Sequence, residues 1–137
     1  MSRKIFVNLP IKNMENSQAF FKSLDFSFDP HFTNEQGACL VISENHNYVM
    51  LLVEPFFRTF TKKSIADSSK TTEVLVCLSY ESRAEVDEMV RKAIAAGGKS
   101  PNAPQDHGFM YGHGFEDLDG HIWELMWMDP TAVPPQA

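Results

Sequence analysis

Two stretches of this sequence open in the same way, and that repetition restricts the fold more than any other feature. In IFVNLPIK (5–12), Ile5, Val7, Leu9 and Ile11 alternate with Phe6, Asn8 and Pro10, which is the period of a β-strand with apolar residues on both faces. Asn13 has the character of a helix N-cap before MENSQAFFKSL, where Ala19, Phe20 and Leu24, with Phe21 at the margin, form an apolar stripe. The alternation returns in EVLVCLSY (73–80). Ser82, with Glu85 three residues on, then makes a capping box for SRAEVDEMVRKAIAAGGK, which Gly97 and Gly98 end. An offset of 69 residues carries Val7 onto Val76, Leu9 onto Leu78 and Asn13 onto Ser82.

Strand signals follow each helix. ACLVIS (38–43) and YVMLLV (48–53) flank ENHN, whose Asn and His content suits a tight turn. KSPNAPQD, with two prolines, reads as an irregular edge strand or loop, and FMYGHGFED and HIWELMW read as a hairpin around DLDG. The order predicts a βαβββ unit used twice in an α+β fold. The expected layout is a single domain over 1–137, with module one about 3–53, a crossing segment 54–71, module two about 72–128 and a proline-rich tail 129–137 that frays into solvent. The crossing segment EPFFRTFTKKSIADSSKT is long for a patternless connection, and its Phe56, Phe57 and Phe60 point to a contact surface or a lid.

Charge narrows the partners. Twelve basic residues against eighteen acidic ones give a net charge of -6, with no Lys/Arg cluster able to neutralise a run of phosphates, so nucleic acid is not an expected partner. No apolar run approaches the ~20 residues of a membrane-spanning helix, and MSRKIFVNLPIKN has a strand pattern where a signal peptide would be continuously apolar; the expected location is the cytoplasm. Cys39 and Cys77, each inside an apolar strand-like run, are expected to be reduced core thiols.

The segments VNLPIKNMENSQAFFKSLDF, EPFFRTF and PQDHGFMYGHGFEDLDGHIWELMWMDP, above all the closing F-E-D-x-D-G-x-x-W-E pattern, give the chain a resemblance to the vicinal oxygen chelate superfamily: glyoxalase I, bleomycin-resistance proteins and extradiol dioxygenases. The resemblance implies two modules forming paired half-open sheets around a pocket, in a homodimer. It also implies that metal-bearing members take one ligand from the first and one from the last strand of each half. Those positions fall on Phe6, on Leu75, on Met50 or Leu52, and on Glu124. Only Glu124 has a side chain able to coordinate a hard or borderline cation. No cofactor is therefore expected, and a divalent metal is disfavoured.

Alternation sets His107, Phe109, Tyr111 and His113 on one face of the last hairpin and Gly108, Met110, Gly112 and Gly114 on the other. If Glu116 pairs with His121 around the turn, His113 lies directly across from Glu124 and Tyr111 stands beside Met126; a slip of one residue exchanges the faces. Under that pairing Glu124 and His113 are the candidate catalytic acid–base pair, against the plainer reading of a structural hydrogen bond. Phe6, Asn8, Met50, Leu52, Leu75, Tyr111 and Met126 are the candidate ligand-binding residues. Asp117 and Asp119 are expected to shape the turn rather than hold calcium, with Gly120 at positive φ. His121 is expected to be exposed or structural, and Trp123 and Trp127 to pack against a helix. His31 and His46 read as loop residues, and Glu73 as a surface residue near the rim.

These residues lead to metal-independent binding of a small molecule in the sheet cup as the expected function. The alternatives are a metal-dependent lyase, isomerase or dioxygenase, and a metal-free enzyme working through Glu124 and His113.

Overall fold

The structure, a computed structural model, describes residues 3–132. It divides into two compact units, Met1–Thr71 and Thr72–Ala137. Each contains one four-stranded mixed sheet. Residues 133–137 of the tail expected to fray lie outside the described residues; just before them, the Asp129 carboxylate accepts the Thr131 N–H at 2.9 Å.

The first unit runs β1 (Ile5–Ile11), α1 (Met14–Ser23), β2 (Ser27–Phe28), β3 (Gly37–Ser43) and β4 (Asn47–Val53), with sheet order β1-β4-β3-β2. β1 lies parallel to β4, and β4 antiparallel to β3. The Asn13 side chain caps α1 by accepting the Asn16 N–H at 2.9 Å, a contact worth about 1 kcal/mol. Pairing Leu9 with Leu51, and Ala38 with Leu51, puts these residues on one face, where they are buried as are Phe20, Phe21 and Leu24 of the first helical segment. The other face carries Phe6, Asn8, Met50 and Leu52, the set expected together, but Leu52 is only 3% exposed. A Cβ built on Gly37 would meet the Leu52 side chain at 3.0 Å and Phe56 at 3.8 Å, so the short helix α2 (Glu54–Phe57) packs over this end of the face. Leu52 belongs to the packing rather than to an open surface.

The second unit runs β5 (Leu75–Ser79), α3 (Arg83–Ala95), β6 (Gln105–Asp106), β7 (Met110–Glu116) and β8 (Ile122–Met128), in sheet order β5-β8-β7-β6. Ser82 Oγ accepts the Glu85 N–H at 3.1 Å, while the Glu85 carboxylate reaches back to the Glu81 N–H rather than to that of Ser82. Beyond α3 the Gly98 N–H bonds the Ala93 carbonyl and the Gly97 N–H that of Ile94, with Gly97 at φ 108°; these are the two bonds of a Schellman C-cap, and they need a residue tolerant of positive φ. Val86, Val90 and Ala93, spaced for one helical face, are buried, as are Phe115, Trp123 and Leu125 of the sheet. Phe115 and Trp123 stack at 6.2 Å with rings inclined by 4°. Burying each large apolar side chain contributes roughly 1.5–3 kcal/mol, so this face anchors the unit.

No described helix is long and apolar enough to cross a membrane. Cys39 is buried, as expected of a core thiol, but Cys77 is exposed. The physical reason is its place on β5, an edge strand, where it points to the face opposite α3.

Candidate functional site

The register of the last hairpin decides which side chains meet. Glu116 pairs with Ile122, Gly114 with Glu124 and Gly112 with Met126, while His113 pairs with Leu125 and Tyr111 with Trp127. The expected Glu116–His121 pairing, which set His113 opposite Glu124 and Tyr111 beside Met126, is off by one residue. The cause is the turn itself. Asp117 N–H donates to the His121 carbonyl at 3.0 Å, so His121 closes the loop instead of opening the strand. Gly120 has φ 88°, as expected. The Asp117 carboxylate accepts from the Asp119 N–H (2.9 Å), the His121 N–H (3.0 Å) and the Trp123 indole N–H (3.0 Å). Asp117 and His121 are both buried, and desolvation pushes the Asp117 carboxyl above its ordinary range.

Because side chains alternate along a strand, the slip moves Glu124 to the face of Met110, Gly112, Gly114 and Met126, away from His113 and Tyr111. Tyr111 and His113 turn toward α3. The Tyr111 hydroxyl donates to Asp87 Oδ1 at 2.5 Å, and this bond, then desolvation, pushes its pKa up to about 12. His113 Nε2 lies 3.2 Å from Ser100 Oγ and its Nδ1, buried with no hydrogen-bond partner among the described residues, 3.9 Å from Asp87. Arg83 completes this side: its guanidinium bonds Asp106 (2.6 Å) and the Gly108 carbonyl (2.7 Å) and lies over the Tyr111 and Trp127 rings. The backbone N–H of Gly108, then Arg83, hold the Asp106 carboxyl below its usual range. Trp123 and Trp127 thus sit on the face opposite Glu124, as expected.

On the Glu124 face is a hollow of about 200 Å³, bordered by Cys77, His107, Gly112, Gly114, Ile122, Glu124 and Met126 among others. Its origin is legible in MYGHGFE: on this face β7 presents glycine at both 112 and 114, so bare backbone forms the floor opposite Glu124 and Met126. Cys77 pairs with Glu124 across β5 and β8. Cys77, expected in the core, and His107, expected on the strand face of Tyr111 and His113, instead border this hollow, His107 from the loop between β6 and β7; the signal that would have placed Cys77 is parity with Leu75, which shares its strand face. His113 also borders the hollow, although its ring nitrogens lie against Ser100 and Asp87. Leu75, 54% exposed, occupies the same face at the start of β5.

Desolvation raises the Cys77 thiol pKa, and the Glu124 carboxylate raises it further. A thiol held protonated by a neighbouring anion is a poor nucleophile at neutral pH. Removing that charge in Glu124→Gln therefore accelerates alkylation of Cys77 by iodoacetamide several-fold and moves its pH–rate midpoint down. Mass-spectrometric rates across pH check this, and an unchanged midpoint counts against the electrostatic coupling.

The residues do not fit a divalent metal at the positions the resemblance implies. Phe6 stacks on Tyr48 at 4.9 Å, Leu75 and Leu52 offer only carbon, and Met50 offers a thioether, leaving Glu124 as the one hard donor. Among the described residues no group of three or more His, Cys, Asp or Glu side chains is placed to hold an ion.

No family model matches the chain, and no curated protein matches it. Solved structures do. A hypothetical protein from S. aureus is 26% identical, with 93% of this chain and 95% of that one covered at a TM-score of 0.77. A glyoxalase/bleomycin resistance protein/dioxygenase family enzyme from Burkholderia phytofirmans is 16% identical, covering 90% and 96% at 0.72. A genomically encoded fosfomycin resistance protein from Listeria monocytogenes is 17% identical, covering 99% and 96% at 0.65. With its two four-stranded mixed sheets and paired strand–helix openings, the chain has the glyoxalase/bleomycin resistance fold of the vicinal oxygen chelate proteins.

Proposed function

We propose that this protein binds a small molecule, without a metal ion, in the hollow on the Glu124 face of its second sheet. The observation that carries the reading is the glycine floor: Gly112 and Gly114 leave about 200 Å³ open beside apolar Ile122 and Met126 and polar Glu124 and Cys77. Apolar walls with a few convergent polar groups are the usual make-up of a ligand pocket. The acid–base alternative loses its support, because Glu124 and His113 do not face each other.

Benzyl alcohol, a compact neutral probe, tests the reading. In the wild-type protein it is expected to shift the NMR resonances of Cys77, Gly112 and Met126, equally with and without EDTA. Gly112→Val fills the floor: a Cβ there meets only the Leu125 carbonyl at 3.8 Å, so the fold tolerates it while the probe is excluded. Binding to Gly112→Val as tight as to wild type, or no perturbation of these positions by benzyl alcohol or by its charged analogues, would sink the proposal; dependence on added Zn, Ni, Mn or Fe would overturn metal independence.

A homodimer is part of the same reading. Ile5 and Phe6 on edge strand β1, and Val74 and Leu75 at edge strand β5, are 44–55% exposed, and unpaired apolar edges favour cover by a second copy. Light scattering should then give twice 15.5 kDa; a monomer at micromolar concentration would refute it.

A further inference from the structure

We infer that the hollow selects a small organic cation: one ring or short apolar chain bearing an ammonium group that pairs with Glu124. This rests on the proposed function and adds the chemical class of the ligand. Glu124 borders the hollow and makes no ion pair among the described residues, and no Lys or Arg borders the hollow with it. An incoming anion would meet like charge at Glu124, and a neutral ligand would leave this exposed carboxylate paired with water alone.

The neighbouring thiol feels the same charge: Cys77, directly paired with Glu124, has its ionisation opposed first by burial and then by that carboxylate. Size sets the rest. The hollow of about 200 Å³ is below the ~300–1,000 Å³ of sites for drug-sized ligands, so a single ring or short chain is the limit. The bare backbone at Gly112 and Gly114 offers a flat floor for such a body, and Ile122 and Met126, on either side of Glu124 along β8, supply apolar contact, the thioether adapting its shape to the occupant.

Benzylamine, benzyl alcohol and benzoate share a ring and differ in charge, and NMR titration of the three at neutral pH separates the possibilities. Benzylamine is expected to bind about threefold to fivefold more tightly than benzyl alcohol, the advantage of an ion pair at an exposed carboxylate, with benzoate weakest. In Glu124→Gln the ratio of benzylamine to benzyl alcohol affinity should fall to parity. A second readout needs no variant: saturating benzylamine lowers the thiol titration point of Cys77 in the wild-type protein, read by thiolate absorbance, and benzyl alcohol does not. Equal binding of amine and alcohol, tightest binding of benzoate, or an amine preference that survives Glu124→Gln overturns the cation assignment while leaving the binding hollow standing. If none of the three perturbs Cys77, Gly112 or Met126, the proposed function fails and this inference with it.

Discussion

Asp117→Ala is expected to destabilise the second unit by about 2–4 kcal/mol. The carboxylate is 5% exposed and accepts three N–H groups, two from its own turn and one from the Trp123 indole; alanine leaves those donors without their partner beneath a packed sheet. Asp117→Asn keeps one acceptor oxygen but turns an amide N–H toward the indole N–H, and should cost an intermediate amount, about 1–2 kcal/mol. Urea denaturation measures both. The pH dependence has a definite sign. Desolvation, opposed by His121 and by the Trp123 and Asp119 hydrogen bonds, raises the native carboxyl above 3.8. The native state therefore holds this proton more tightly than the unfolded chain. That contribution is complete below pH 3.8 and is lost as pH rises through the native value, so the Asp117→Ala penalty is largest in acid and shrinks upward. A loss under about 0.5 kcal/mol would show that the carboxylate does not hold the turn.

The second large effect separates two glycines that look alike in the sequence. A Cβ at Gly114 would lie 2.7 Å from the Trp123 carbonyl oxygen and 3.6 Å from the Glu124 Cα. Neither can yield cheaply, because Trp123 is fully buried and stacked on Phe115. Gly114→Ala must pry β7 from β8, and is expected to cost about 2–3 kcal/mol, the range of an overpacked core. Gly112→Ala meets no atom closer than 3.8 Å and should be neutral or stabilise by up to about 1 kcal/mol, since alanine restricts the unfolded chain. Thermal melts of the two variants supply the comparison, and equal losses would contradict the close approach at 114. Together with Gly112→Val, the pair also distinguishes a glycine kept for strand packing from one that keeps the hollow open.

Much of the site was within reach of a reading by residue type. Alternation in β7 set glycines on one face and Tyr111 with His113 on the other, and Glu124 stood out as the single hard donor at the positions the resemblance singles out. What escaped was the partnership. Glu124 was matched with His113 because the hairpin was closed one residue too tightly, and Cys77 was assigned to a core that its edge strand does not provide. Leu52 was given to the ligand although it is buried beside Gly37, on the end of the face that the Phe56 ring also approaches from a segment without any strand or helix periodicity of its own.

By itself the sequence determined the elements: the two strand–helix openings, the caps at Asn13 and Ser82, the stop at Gly97 and the polar turn at DLDG, all of them short-range effects of periodicity and local hydrogen bonding. The tertiary structure decided which faces those elements share. Strand register depends on how a turn closes its hydrogen bonds, and at Asp117 one residue of difference carries Tyr111 and His113 to the helix side of the sheet, away from Glu124 and the hollow.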